Sequence, residues 1–211
     1  MADRVIAVIN QKGGTGKTTL ALNLAAGLAR RAPTAVIDAD PQRSISQWIA
    51  MGGSESELPV ATPIGDNPAA TIAELKKTHR YVVVDCPPTV QGAVIDAVMA
   101  AADRVLIPVL PSPLDLWASV EMAALVREAQ QKNRALQAWL VLNQIEERNA
   151  LSRVMQQAVA EFDVPLLQAS LQRRAAYRSA AVEGVSVYAL GGRGIQAVAD
   201  IEAIIEEMLC Q

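Results

Sequence analysis

Two lysines five residues apart, Lys12 and Lys17, bracket the glycines of INQKGGTGKTTL (9–20). Gly16, Lys17 and Thr18 complete the pattern G-x-x-x-x-G-K-[ST]. In such a loop glycine N–H groups wrap phosphate oxygens without Cβ clashes. The lysine reaches the β- and γ-phosphates, and the hydroxyl holds Mg²⁺. Gln11 stands where that pattern opens on glycine, and Lys12 is a second cation the pattern does not require. An apolar run precedes the loop and a helical pattern follows it, so a helix N-terminus is aimed at the same anion.

Two acidic positions could complete a phosphate-transfer site. TAVIDADPQRS carries Asp38 and Asp40 two residues apart, which puts both on one side of an extended segment. Hydrolysis needs a group that orients water in line with the γ-phosphate, and Asp40 could supply it. Capping of the turn before Pro41 is the competing role. YVVVDCPP ends an apolar run on Asp85, which could hold Mg²⁺ through a water or cap a turn.

These groups need a frame. Short apolar runs at 4–9, 34–38, 81–85, 104–109, 138–143 and 165–170 read as strands, several of them unbroken as in strands buried on both faces. Helix-length segments lie between them, at 18–30, 91–102, 116–131, 150–162 and 194–209. In the first, Leu20, Leu24 and Leu28 mark one buried side. Alternation of strand and helix predicts an α/β fold of three layers, a mostly parallel sheet flanked by helices, with ligands at the carboxyl ends of the strands. The Gly-, Pro- and Ser-rich stretch 52–68 reads as a surface excursion rather than a domain boundary, so 1–211 is one expected domain.

The 211 residues are 51% hydrophobic and 3% aromatic, which suits an aliphatic core of helices on a sheet. A net charge of −3 argues against a wholly basic nucleic-acid binder but leaves room for a local basic face. Cys86 and Cys210 form no metal spacing, the N-terminus has no signal-peptide pattern, and no apolar run reaches the ~20 residues of a membrane span. The expected location is cytoplasmic.

Together, KGGTGKT, DADPQ and VVVDCPP, in this order and spacing, resemble the ParA/MinD family of deviant phosphate-loop ATPases over nearly the whole chain. The resemblance implies a P-loop fold, ATP/ADP and Mg²⁺ as ligands, and an ATP-dependent homodimer that sandwiches two nucleotides. Lys12 matches the family's lysine that crosses to the partner's phosphates. Gly13, Gly14, Thr15, Gly16, Lys17, Thr18 and Thr19 match the loop, Asp40 the residue that assists hydrolysis, and Thr18 with Asp85 the magnesium pair. Pro111, Ser112 and Asp115 match positions of dimer and nucleotide contact. Asn143 matches one that often touches adenine, with a strand-end cap as its alternative.

Within that family, membrane-bound division regulators end in a basic amphipathic helix, whereas 193–211 holds one basic residue against four acidic ones. Iron–sulfur relatives need two placed cysteines. What remains resembles the short ParA type, nucleoid-associated, which moves plasmids or spaces protein cargos such as carboxysomes. A ParB-like or adaptor protein would stimulate its hydrolysis. The alternatives are a MinD-like regulator and an ATP-dependent metabolic enzyme activating a small substrate. Nonspecific DNA binding would need a local basic face, and the stretch 148–178 offers Arg148, Arg153, Arg173, Arg174 and Arg178, with a solvated helical face as the bland reading. Of these, Arg173 matches the family arginine best.

Overall fold

The computed structural model describes residues 4–53, 57–89, 91–146 and 164–210. Its strands are β1 (Arg4–Val8), β2 (Thr34–Asp38), β3 (Ala61–Pro63), β4 (Tyr81–Asp85), β5 (Arg104–Val109) and β6 (Gln137–Leu142). They form one sheet in the order β3-β2-β4-β1-β5-β6, with every pairing parallel. The helices are α1 (Lys17–Ala29), α2 (Ser44–Met51), α3 (Pro68–Thr78), α4 (Ala93–Ala101), α5 (Pro113–Lys132), α6 (Ala175–Glu183) and α7 (Ile195–Cys210), with a 3₁₀ segment at Val187–Arg193.

The period of two along each strand divides the core. Ile6, Val8, Tyr81 and Val83 face one side, packed with α1, α2, α6 and α7. Val5, Ala7, Val82 and Val84 face the other, packed with α3, α4 and α5. Because both faces are covered, the strands read as continuous apolar runs. The expected three-layer parallel architecture is thus present. β1 pairs with β4 on one side and β5 on the other, while the chain leaves it toward β2. That divergence opens a crevice at the carboxyl end of β1, where the phosphate-loop sequence begins.

Four of the five expected helices have described counterparts within three residues at each end; the segment 150–162 lies outside the described residues. Two strand expectations change. The stretch 52–68 contributes the edge strand β3, only three residues long and ending on Pro63, so no apolar run announced it. The run 165–170 makes a single bridge, Leu140 to Leu166, instead of a strand. Helices α2, α3 and α6 were not anticipated. α3 nevertheless has a readable start: Asn67 caps it by accepting from Ala70 N–H at 3.1 Å, and Pro68 takes the first position.

Helix α7 turns Ala197, Ile201, Ile204, Ile205 and Met208 into the core. Each large side chain there contributes about 1.5–3 kcal/mol relative to exposure. Its acids are tertiary ties: Glu207 accepts the N–H groups of Gln168 and Ala169, and Asp200 that of Gln172. Among the described residues no helix is long and apolar enough to cross a membrane.

Candidate functional site

The loop between β1 and α1 is braced from below. Asn10, buried, donates to Pro108 O at 2.8 Å and accepts from Lys12 N–H at 2.9 Å, tying the loop's start to β5. Gly14 and Gly16 take φ of 77° and 91°, which side chains disfavour. A Cβ on Gly16 would also lie 2.1 Å from Asn143 Nδ2. That amide donates to Thr15 O at 2.6 Å, and Asn143 Oδ1 accepts from Gln144 N–H at 2.8 Å. Asn143 is buried and serves as a strut under the loop, the capping role left open beside the adenine contact. The first turn of α1 has no side-chain cap and no acidic residue, so its N–H groups are available to an anion.

A cavity of about 360 Å³ opens over this turn, lined by Gly13, Gly14, Lys17, Thr18, Asp40 and Gln42 among others. Lys17 is buried, its Nζ 3.3 Å from Lys12 O. Burial lowers its pKa while Asp85 and Asp40 pull it back up. Thr18 Oγ1 donates to Asp85 Oδ2 at 2.7 Å, and the buried Asp85 Oδ1 has no hydrogen-bond partner among the described residues. A hydroxyl and a carboxylate side by side suit Mg²⁺, which takes one or two protein oxygens and fills the rest with water and phosphate. Desolvation pushes the Asp85 pKa up to about 7, against the pull of the Thr18 hydrogen bond; a cation bound beside it would reverse that.

The two aspartates after β2 separate in role. Asp38 is buried and accepts from Ser46 N–H at 2.9 Å and Ser46 Oγ–H at 2.7 Å, fastening α2 to the sheet. Asp40 lines the phosphate cavity and accepts from Gln42 N–H at 2.9 Å through Oδ1. Its carboxylate is therefore within reach of whatever occupies that cavity. Ser46 and Asn10 gave no signal beyond being polar residues near a loop.

Lys12 stays outside the glycine cradle. Its Nζ is 2.6 Å from Asp115 Oδ1, with the lysine side chain 42% exposed and the aspartate 5%. Asp115 also meets Ser112, the N-cap of α5. Pro111, Ser112, Asp115, Glu146 and Arg173 line a cleft of about 240 Å³ next to the loop.

A further cleft of about 230 Å³ adjoins the phosphate cavity through Gly16, Thr19 and Gln144, and Arg173, Arg174, Tyr177 and Arg178 line it. The arginines read as a DNA face are thus gathered beside the nucleotide loop. Arg173 pairs with Glu146 at 2.7 Å. Arg174 forms a fork on Asp200, at 2.7 and 2.9 Å, and reaches Gln196. These bonds brace α6 against α7, while Arg174 still lines the cleft with Arg173 and Arg178. Arg178 is exposed, and Arg148 and Arg153 lie outside the described residues. Gln144, with φ 57°, touches all three clefts and was not anticipated.

A strand, a glycine loop and an uncapped helix, with a lysine and a threonine–aspartate pair converging on one cavity, define a P-loop nucleotide-binding protein. The chain belongs to the CobQ/CobB/MinD/ParA nucleotide-binding family, whose model matches residues 6–187. It is 44% identical over 206 residues to the maintenance of carboxysome distribution protein A of Halothiobacillus neapolitanus, covering 97% of this chain and 95% of that one. It is 29% identical over 245 residues to the chromosome partitioning protein ParA of Caulobacter vibrioides, covering 92% and 90%. The fold matches that of the septum site-determining protein MinD of Pyrococcus horikoshii complexed with Mg-ADP. The TM-score is 0.71 at 20% identity, over 98% of this chain and 97% of that one.

Proposed function

We propose that this chain is a ParA-type ATPase whose ATP-bound dimer positions a protein cargo, of the carboxysome kind, over nucleoid DNA. The observation that carries this is the division of labour between the lysines. Lys17 lies inside the cradle, where it can hold the phosphates of its own nucleotide. Lys12 is exposed outside it, on a breakable ion pair with Asp115, so it can swing to the phosphates of a facing subunit. A cation delivered in trans ties ATP binding to dimerisation, as an arginine finger does. The cargo assignment draws on the similarity to the carboxysome distribution protein.

In this mechanism the loop N–H groups and the α1 N-terminus receive the β- and γ-phosphates. Thr18 and Asp85 would hold Mg²⁺, whose charge offsets that developing on the phosphate oxygens. Asp40 orients the attacking water. Turnover is slow until an adaptor protein, presenting a cationic side chain, accelerates it. Arg173 and Arg178 contact DNA phosphates, carrying no base information.

The test is Asp40→Ala. It is expected to bind Mg-ATP with wild-type affinity, to sediment as a persistent dimer, and to hydrolyse little even with adaptor. Loss of ATP affinity instead would make Asp40 a structural or metal-binding residue and remove it from the mechanism.

A further inference from the structure

We infer that Gln42 is a second residue that orients the attacking water, acting together with Asp40. Both line the phosphate cavity with Lys17 and Thr18. They also share one turn. Asp40 O accepts from Arg43 N–H at 2.8 Å, with Pro41 at the second position of the turn and Gln42 at the third. Inside it, Gln42 N–H donates to Asp40 Oδ1 at 2.9 Å, and Gln42 O accepts from Gln47 Nε2 at 2.9 Å. The backbone of Gln42 is thus fastened at both polar groups, once to Asp40 and once to α2. Helix α2 is in turn tied to the sheet through Asp38 and Ser46. Arg43 closes the turn at φ 54°, a backbone that side chains disfavour and that persists only where its surroundings hold it.

The chemistry calls for such a second group. A water has two hydrogens, and aiming its lone pair at phosphorus needs an acceptor for each. Asp40 Oδ1 already accepts the Gln42 N–H, which leaves Oδ2 to take one of them. A second carboxylate beside the γ-phosphate oxygens would be repelled by them. A neutral amide is not: its Oε1 accepts the other hydrogen while its Nε2 donates to a phosphate oxygen. Ser44, Thr19 and Gln144 also line the cavity, but they belong to α2, α1 and the segment after β6. Gln42 alone of these shares the turn of Asp40.

Within the ATPase mechanism proposed above, on which this assignment rests, the step balances without a proton on Gln42. The bond from the water oxygen to the γ-phosphorus forms as the bond from that phosphorus to the β-phosphate oxygen breaks, its electron pair leaving with ADP. One water hydrogen stays on the phosphate product and the other leaves through Asp40 to solvent. Gln42 gives and takes no proton, so its contribution is geometric. Loss of an orienting contact of this kind lowers the rate by about 10²-fold.

The experiment is single-turnover hydrolysis of radiolabelled ATP by the full chain at saturating Mg²⁺, beside isothermal titration of ATP and sedimentation. Gln42→Ala is expected to hydrolyse about 10²-fold more slowly than the wild type, with ATP affinity and the ATP dimer within about twofold. Gln42→Glu sets a carboxylate against the γ-phosphate, which raises its pKa above the ordinary value of about 4.3. Its protonated form again pairs a donor with an acceptor. The rate of Gln42→Glu relative to wild type should therefore rise as pH falls from about 8 to about 5.5. Lys17, Asp40 and Asp85 are present in both proteins and cancel in that ratio. An undiminished rate in Gln42→Ala, a loss of ATP affinity as large as the loss of rate, or a flat ratio across pH would overturn the assignment of Gln42. An inactive wild type would instead sink the ATPase reading itself, and the role of Gln42 with it.

Discussion

Replacing Asn143 with Ala separates a strut from a base reader. The change removes the donor to Thr15 O and the acceptor for Gln144 N–H, both at buried or half-buried positions. Each group left unsatisfied costs about 1–3 kcal/mol, so the variant is expected to lose about 2–6 kcal/mol of stability. On a chain of this size that lowers Tm by roughly 4–24 °C. Thr15 O belongs to the turn that presents Gly16 and Lys17, so phosphate binding weakens with it. Isothermal titration with ATP, ADP and tripolyphosphate is the assay, beside thermal unfolding of the nucleotide-free protein. The strut account expects all three ligands to lose affinity by a similar factor, because tripolyphosphate has no base. A loss confined to ATP and ADP, with Tm unchanged, would show that Asn143 reads adenine and refute this reasoning.

Three other outcomes follow from the same geometry. Lys17→Ala should abolish ATP binding, whereas Lys12→Ala should spare binding by the monomer and weaken the ATP dimer; Asp115→Asn, by releasing Lys12 from a pair worth up to about 1 kcal/mol, should tighten that dimer up to about fivefold in sedimentation. Arg174→Ala leaves Asp200 without its fork and should cost about 2 kcal/mol, a Tm drop of roughly 4–8 °C, while Arg178→Ala leaves Tm unchanged. For pH, the Asp85 pKa is raised to about 7 in the folded chain, so between 3.8 and 7 the native state binds a proton that the unfolded chain has lost. Nucleotide-free stability should therefore fall as pH rises through about 7, and Mg²⁺ affinity should weaken as pH drops below it, both readable by calorimetry across pH.

Residue order alone was enough to place the strand–loop–helix unit, Lys17 and Thr18 in it, and Asp85 at the end of a buried strand. Those assignments depend on local chemistry: glycines for φ above zero, an apolar run for a strand covered on both faces, and a fixed spacing between backbone and cation. The parallel three-layer fold was legible for the same reason, since its strands are covered on both sides and show no alternation. β3 was not, because three residues ending in proline carry no period. The partners of the polar side chains were not legible either. Asn10 to Pro108 spans 98 residues and Asn143 to Thr15 spans 128, so only the folded sheet brings them together. The same holds for the arginines: composition offered a basic patch around Arg173 to Arg178, and tertiary packing set Glu146 and Asp200 against two of them. Charge is a property of the sequence, but whether a charge is available is decided by which carboxylate the fold places within reach.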